Sequence, residues 1–339
     1  MRRPITRLVA AVRCSLLLLS LLTSCMPSAR NKKKVYYSYF DTVTEISCYR
    51  TESEKDFSAN ADAAAALLEK YHRLLDIYYE YDGTVNLATL NRLAGGDPLP
   101  AERELIDFLL FAKEVYVLTD GYVNIAMGAV LSLWHDFRED PTSVPLPSEE
   151  ALTAAAAHTA IDALVIDAEA GTVYLSDPDA SLDVGALGKG YAAAQARELL
   201  RARGADSYVI NAGGNLVILG AHEDGTPFTT GVRDPRGDGY ALTLSLADTA
   251  FVTSGDYERY VTVDGVRYSH IIDKDTLSPA RRFASVSVMG EDSGLCDALS
   301  TALFVLPYER GRALVLRLGY DAVWITEAGE VLTTDGIPT

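Results

Sequence analysis

Apolar residues return every three or four positions in several stretches of the chain, the spacing that lines them up on one face of a helix. In 57–81 an Ala-rich start runs into Leu67, Leu68, Tyr71, Leu74 and Leu75. In 102–119 the spaced positions are Leu105, Phe108, Leu109, Ala112 and Val115, and Asp120-Gly121 supplies a stop. Residues 149–158, 189–203, 297–306 and 309–318 carry helical patterns too. Other segments favour strands. Residues 35–49 are rich in Tyr, Val, Thr and Ile, and 161–175 alternate about a turn at Glu169-Ala170-Gly171. Strands are also expected at 208–210 and 216–219, several more between 228 and 288, and two short ones in 320–334. Gly95-Gly96-Asp97-Pro98 and the proline-rich 141–148 read as loops. Helices and strands are interspersed, and many strands are joined by short turns. That predicts an α+β fold with largely antiparallel or mixed sheets and flanking helices, not a doubly wound parallel sheet. No linker after residue 35 is long enough to part independent domains, so 35–339 is expected to form one unit.

The N-terminus breaks this pattern. Arg2, Arg3, Arg7 and Arg13 precede an apolar run at 16–22, which is shorter than the roughly 20 residues a membrane span needs. Residues 1–24 therefore read as a signal peptide. The run ends in Leu22-Thr23-Ser24-Cys25, which resembles a bacterial lipobox, so Cys25 is the expected lipidation site. A plain secretory signal with a chance Cys is the other reading. Residues 25–34 are then a lipidated N-terminus and basic linker, with Asn31-Lys32-Lys33-Lys34 either touching anionic headgroups or simply solvated. The expected location is the extracytoplasmic face of a bacterial membrane. Cys48 and Cys296 remain, far too few and too distant for a disulfide framework, and either pair or lie buried singly.

Composition narrows the function classes. The 339 residues are 48% hydrophobic and 23% charged, which excludes a mainly disordered chain. A formal net charge of −17 argues against nucleic acid as a partner.

Chemistry concentrates in four stretches. Asp183-Val184-Gly185-Ala186-Leu187-Gly188-Lys189-Gly190-Tyr191 puts a Lys and three glycines at a helix start, either a phosphate cradle or a tight strand-to-helix turn. It matches neither the P-loop nor the dinucleotide fingerprint. Thr253-Ser254-Gly255-Asp256-Tyr257-Glu258-Arg259-Tyr260 is the second stretch. In the third, Ser269-His270-Ile271-Ile272-Asp273, His270 lies between apolar and acidic neighbours and is either a tuned base or a structural His; His72, His135, His158 and His222 are expected to carry no chemistry. In the fourth, Asp297 and Thr301 lie four apart on a helix, a hard oxygen pair suited to Mg²⁺ unless Asp297 is merely an N-cap.

Together, and in this order, these stretches and the string Asn211-Ala212-Gly213-Gly214 resemble the ApbE family of FAD:protein FMN transferases over about residues 36–332. That family attaches FMN, taken from FAD, to a Thr or Ser hydroxyl of an acceptor protein and releases AMP. The resemblance implies that Asp297 and Thr301 hold Mg²⁺ by side chain and Ala186 by its carbonyl. It implies that Asp183 and Lys189 line the FAD site, with Lys189 near the phosphates, that the backbone around Ile272 contacts FAD, and that His270 is the base. Tyr122-Val123-Asn124 falls on a flavin-contacting segment, Phe40 on a position often Met, and either Tyr78 or Tyr81 on the flavin-pocket aromatic. Asn124 stands where Asp is common, Asp41 where Gly is common and Cys296 where a small residue is usual. The implied partners are FAD, a membrane reached through the lipid, and an extracytoplasmic redox protein bearing a Ser/Thr-Gly-Ala-Thr-like loop. The same residues would also serve a Mg²⁺-dependent FAD pyrophosphatase, while a flavin-binding lipoprotein without turnover leaves the Asp297/Thr301 pair unexplained.

Overall fold

The computed structural model describes residues 31–338. Its centre is one sheet of eight strands: β1 (Lys32–Tyr39), β2 (Thr42–Cys48), β3 (Tyr208–Ala212), β4 (Asn215–Leu219), β5 (Ala250–Gly255), β6 (Phe283–Gly290), β7 (Asp321–Thr326) and β8 (Val331–Thr333). They lie side by side in chain order, and every neighbouring pair is antiparallel. The helices are α1 (Glu54–Leu75), α2 (Leu87–Arg92), α3 (Arg103–Leu118), α4 (Gly128–Glu139), α5 (Glu149–Ala156), α6 (Gly188–Ala202), α7 (Ser293–Val305) and α8 (Tyr308–Arg317). This is the mixed α+β architecture that the patterning predicts.

Strand alternation divides the core in two. Val217, Val252 and Trp324 face the helical side, where α1 packs on α6, α6 on α7, and α7 on β5 and β6. Their neighbours Ile218, Phe251 and Val323 face the other way and are covered by the hairpin Phe228–Arg233 with Tyr240–Leu246. Sandwiched between sheet and helices, α7 is apolar almost all round: Cys296, Ala298, Leu299, Ala302 and Leu303 are all fully buried.

Several boundaries differ from expectation, each for a local reason. The first helix stops at Leu75 instead of reaching 81, because the Asp76 carboxylate accepts the Tyr78 and Tyr79 N–H groups at 2.8 and 3.0 Å and turns the chain. The fourth stretch begins its helix at Ser293, capped by Asp292, which accepts from Leu295 N at 3.0 Å; Asp297 is therefore inside the helix and is not its cap. Helices α2 and α4 were not expected at all. The run Lys32-Lys33-Lys34 is not a linker but the start of β1: Lys33 pairs with Glu45 at 2.9 Å and Lys34 with Asp62 at 2.7 Å. Cys48 and Cys296 are separate buried thiols, and burial pushes the Cys48 thiol up to about 11. The signal peptide at 1–24 and the lipobox Cys25 lie outside the described residues.

Candidate active site

Two cavities share a wall beside the N-terminus of α6. The larger, about 370 Å³, lies between the β1–β2 turn (Phe40, Asp41), the end of α1 with the turn after it (Tyr78, Tyr81), and the Gly-Lys turn (Asp183, Lys189). The smaller, about 120 Å³, is lined by Tyr122, Val123 and Asn124, by Ala186, by His270 and Ile272, and by Thr301. Tyr78, Asp183, Gly185 and Arg259 border both. The fold thus gathers into one cleft every sequence-predicted site residue among those described except Asp297, which is buried behind the α6 start.

The Gly-Lys stretch is held from both ends. Asp183 N donates to Ile125 O at 2.8 Å, and the Asp183 carboxylate accepts Gly185 N at 2.8 Å. Helix α6 then opens at Gly188, so Lys189 sits in its first turn, beside N–H groups that have no partner within the helix. One glycine has a specific steric reason. A Cβ on Gly190 would lie 2.3 Å from Ser293 O and 2.5 Å from Asp297 Cβ, so only Gly lets α6 touch α7 here. At that contact Gly190 N–H donates to Asp297 Oδ2 at 2.8 Å.

Asp297 is 4% exposed and makes no ion pair among the described residues. Burial pushes its carboxyl pKa up, against the pull of Lys189. A buried carboxylate without a bound cation is costly, and the fold retains it. Thr301 lies one turn further on and faces the smaller cavity, with its hydroxyl 3.5 Å from Ser254 Oγ. A carboxylate, a hydroxyl and the nearby Ala186 backbone are hard oxygen donors, which fit Mg²⁺. A second candidate metal cluster, His158, Asp177 and Asp179, lines neither cavity.

His270 N donates to Arg259 O at 3.0 Å, and His270 Nδ1 lies 3.3 Å from the same oxygen. A carbonyl only accepts, so Nδ1 carries the hydrogen and Nε2 keeps its lone pair. Burial, then Arg259, Arg138 and Lys189, push the imidazole down to about 3. It is neutral at ordinary pH.

Tyr78 and Tyr81 both line the larger cavity but differ in setting. The Tyr81 hydroxyl donates to Asp76 at 2.8 Å, whereas the Tyr78 ring borders both cavities and packs on His135 with centroids 5.6 Å apart. Tyr122 donates to Asp275 at 2.8 Å, with the Lys274 ammonium 4.4 Å from its ring centre. Asn124 is used up locally: its amide donates to Thr159 O and its oxygen accepts from Ala126 N, both at 2.9 Å. Ile272 is buried and paired with Pro279 in a short hairpin. Phe40 and Asp41 have φ of 53° and 51°, the left-handed region that makes Gly common at such turns and that Asp tolerates.

Arg138 and Arg259 line the cavities without having been among the sequence-predicted site residues, and His72 and His135, from which no chemistry is expected, line the larger and the smaller cavity. Arg259 lay in a stretch already singled out; Arg138 lies on a helix that was not expected. The Asn211–Asn215 stretch lines neither cavity. It is a two-residue β-hairpin turn with Gly213 and Gly214 both at positive φ.

A neutral imidazole, arginines that make no ion pair among the described residues and a buried carboxylate gather beside a helix N-terminus, the kind of setting in which enzymes handle anionic groups. The profile of the ApbE family matches residues 40–324, and the chain belongs to that family. A FAD:protein FMN transferase of Treponema pallidum (strain Nichols) is 34% identical over 317 residues, covering 87% of this chain and 85% of that protein. One from Klebsiella pneumoniae (strain 342) is 31% identical over 278 residues, covering 81% of this chain and 84% of its own. The crystal structure of the ApbE protein of Thermotoga maritima superposes with a TM-score of 0.80 at 29% identity, covering 90% of this chain and 97% of that one. The apo flavinyl transferase ApbE of Pseudomonas stutzeri gives 0.75 at 25% identity, with 90% and 94% covered.

Proposed function

We propose that this protein transfers FMN from FAD to a Thr or Ser hydroxyl of an acceptor protein, with Mg²⁺, and releases AMP. The observation that carries this reading is a cleft lined by Arg138, Arg259 and Lys189, which make no ion pair among the described residues, backed by the buried Asp297 carboxylate, which makes none either. FAD carries about two negative charges on its diphosphate, and a protein of net charge −17 repels it at long range. Local positive charge at the cleft has to overcome that, and Lys189 at the α6 N-terminus supplies part of it.

In the reaction, the acceptor oxygen forms a bond to the FMN phosphorus. The bridging P–O bond of the diphosphate breaks, and its electron pair leaves on AMP. The hydroxyl proton passes to His270 Nε2, the nitrogen left free by the Nδ1 contact with Arg259 O. Such a general base contributes about 10²–10⁴ in rate. Mg²⁺ held by Asp297, Thr301 and the Ala186 carbonyl would supply the charge that stabilises the phosphoryl oxygens. Tyr78, at the junction of the cavities, offers a face on which an isoalloxazine can stack.

We extend the proposal to location: Cys25 carries a lipid that holds the domain at the extracytoplasmic membrane face, within reach of redox proteins bearing a Ser/Thr-Gly-Ala-Thr-like loop. The test is to incubate the protein with FAD, Mg²⁺ and candidate acceptors and to weigh the acceptor. A mass gain of one FMN less one water, matched by one AMP, supports transfer. AMP released equally fast without acceptor would make the enzyme a FAD pyrophosphatase, and FAD binding without turnover would make it a flavin-binding lipoprotein. A Cys25→Ala chain recovered in the membrane fraction would remove the anchor.

A further inference from the structure

We propose that Arg259 and Arg138 form a two-guanidinium clamp on the diphosphate of the bound nucleotide, an inference that rests on the FAD reading above. Both line the smaller cavity, and Arg259 also lines the larger, so its side chain stands where the two compartments meet. A dinucleotide laid through both compartments runs past Arg259 there, and past the Tyr78 ring in the same wall.

The two cations are left wanting an anion. Among the described residues neither makes an ion pair or a side-chain hydrogen bond, although the chain carries 47 carboxylates and most of its other Arg side chains find one. Arg138 Nη1 is sealed from solvent and has no partner. Burial and the neighbouring Arg259 both oppose the charge on Arg138, and Asp183 gives the largest compensating attraction. Two like charges held together in a partly buried wall are unfavourable unless a ligand of opposite charge completes the site. A diphosphate does so, because its non-bridging oxygens match the planar fork of a guanidinium in a way that a lone ammonium does not. Arg259 also fixes His270 through its backbone carbonyl, and the two arginines and His270 line the same smaller cavity.

The test compares ligands with and without phosphate on the full chain. Binding of FAD, ADP and riboflavin is measured by calorimetry for the parent, Arg259→Gln, Arg138→Gln and Arg259→Lys. Loss of a charge-assisted contact should weaken FAD and ADP by roughly tenfold or more in each Gln variant, while riboflavin binding stays within about twofold. Arg259→Lys should recover part of the ADP affinity, and the dependence of ADP affinity on salt should flatten in both Gln variants. Equal losses for riboflavin and ADP would show that the arginines merely shape the pocket and would overturn the clamp. Unchanged ADP affinity would overturn it as well. A parent that binds neither FAD nor ADP would instead defeat the FAD reading itself, so the two failures are told apart by the parent alone.

Discussion

Replacing Gly190 by Ala tests how far the fold and the proposed metal site are one object. The added Cβ would meet Ser293 O at 2.3 Å and Asp297 Cβ at 2.5 Å, where ordinary contacts begin near 3.4 Å. Helices α6 and α7 must therefore separate by roughly 1 Å at their crossing. Overpacking of this kind costs about 1–3 kcal/mol. Lengthening the 2.8 Å bond from Gly190 N–H to the Asp297 carboxylate removes a charge-assisted contact worth about 1.5–3 kcal/mol. The better helix propensity of Ala returns about 1 kcal/mol. The net loss is about 1.5–5 kcal/mol, which for a domain of this size, with an unfolding entropy of about 2.1 cal/mol/K per residue, lowers Tm by roughly 2–8 °C. The assay is thermal unfolding with and without Mg²⁺, together with FMN transfer. The parent should gain Tm with Mg²⁺ through linkage, and the variant should gain less because Asp297 and Thr301 have moved from Ala186. A Tm within about 1 °C of the parent, with the same Mg²⁺ shift, would refute the claim that the helix contact builds the site.

Other outcomes follow from the same geometry. His270→Ala should retain FAD binding within about twofold and lose about 10²–10⁴ of the transfer rate; normal transfer rates would dismiss it as the base. With its imidazole pushed down to about 3, free His270 is neutral through pH 6–8, so kcat/KM should have no acid limb near pH 6.5. The bound diphosphate offsets the neighbouring cations, so the limb in kcat should lie at higher pH than that in kcat/KM, and a titration near pH 6.5 in kcat/KM would contradict the burial argument. Because burial opposes the charge on Asp297, Asp297→Asn should leave the metal-free Tm unchanged or raised while it abolishes both activity and the Mg²⁺ shift; transfer at the parent's rate in chelator would misplace the metal. Tyr78→Ala should weaken riboflavin binding more than Tyr81→Ala, whose hydroxyl is engaged by Asp76; the reverse order would exchange their roles.

Most elements of the sheet and its covering helices were legible, because each buries one face and so writes a period of two or of about 3.6 into the chain. The unread parts lack that signature. Helix α4 buries Val130, Trp134 and Phe137 in a small satellite cluster among charged residues, and α2 is only six residues long. Helix α7 was read late because a helix buried all round has no polar face to mark its register. At the site, the Gly-Lys turn and the Asp297/Thr301 spacing were visible because backbone approach and shared helix faces are local properties. Arg138 was not, since nothing near it in the chain distinguishes it from any surface arginine.

From the residue order alone came the α+β class, the Lys at a helix start, one carboxylate and one hydroxyl a turn apart, and the histidine between apolar and acidic neighbours. Those are short-range facts, set by periods and spacings within a few residues. That Gly190 presses Asp297 against the α6 start, that Tyr78 and not Tyr81 stands at the junction, and that two arginines with no carboxylate partner among the described residues converge on one cavity were decided only in three dimensions. Each depends on which distant segments the sheet brings together, and burial and electrostatic neighbourhood exist only once that packing is formed.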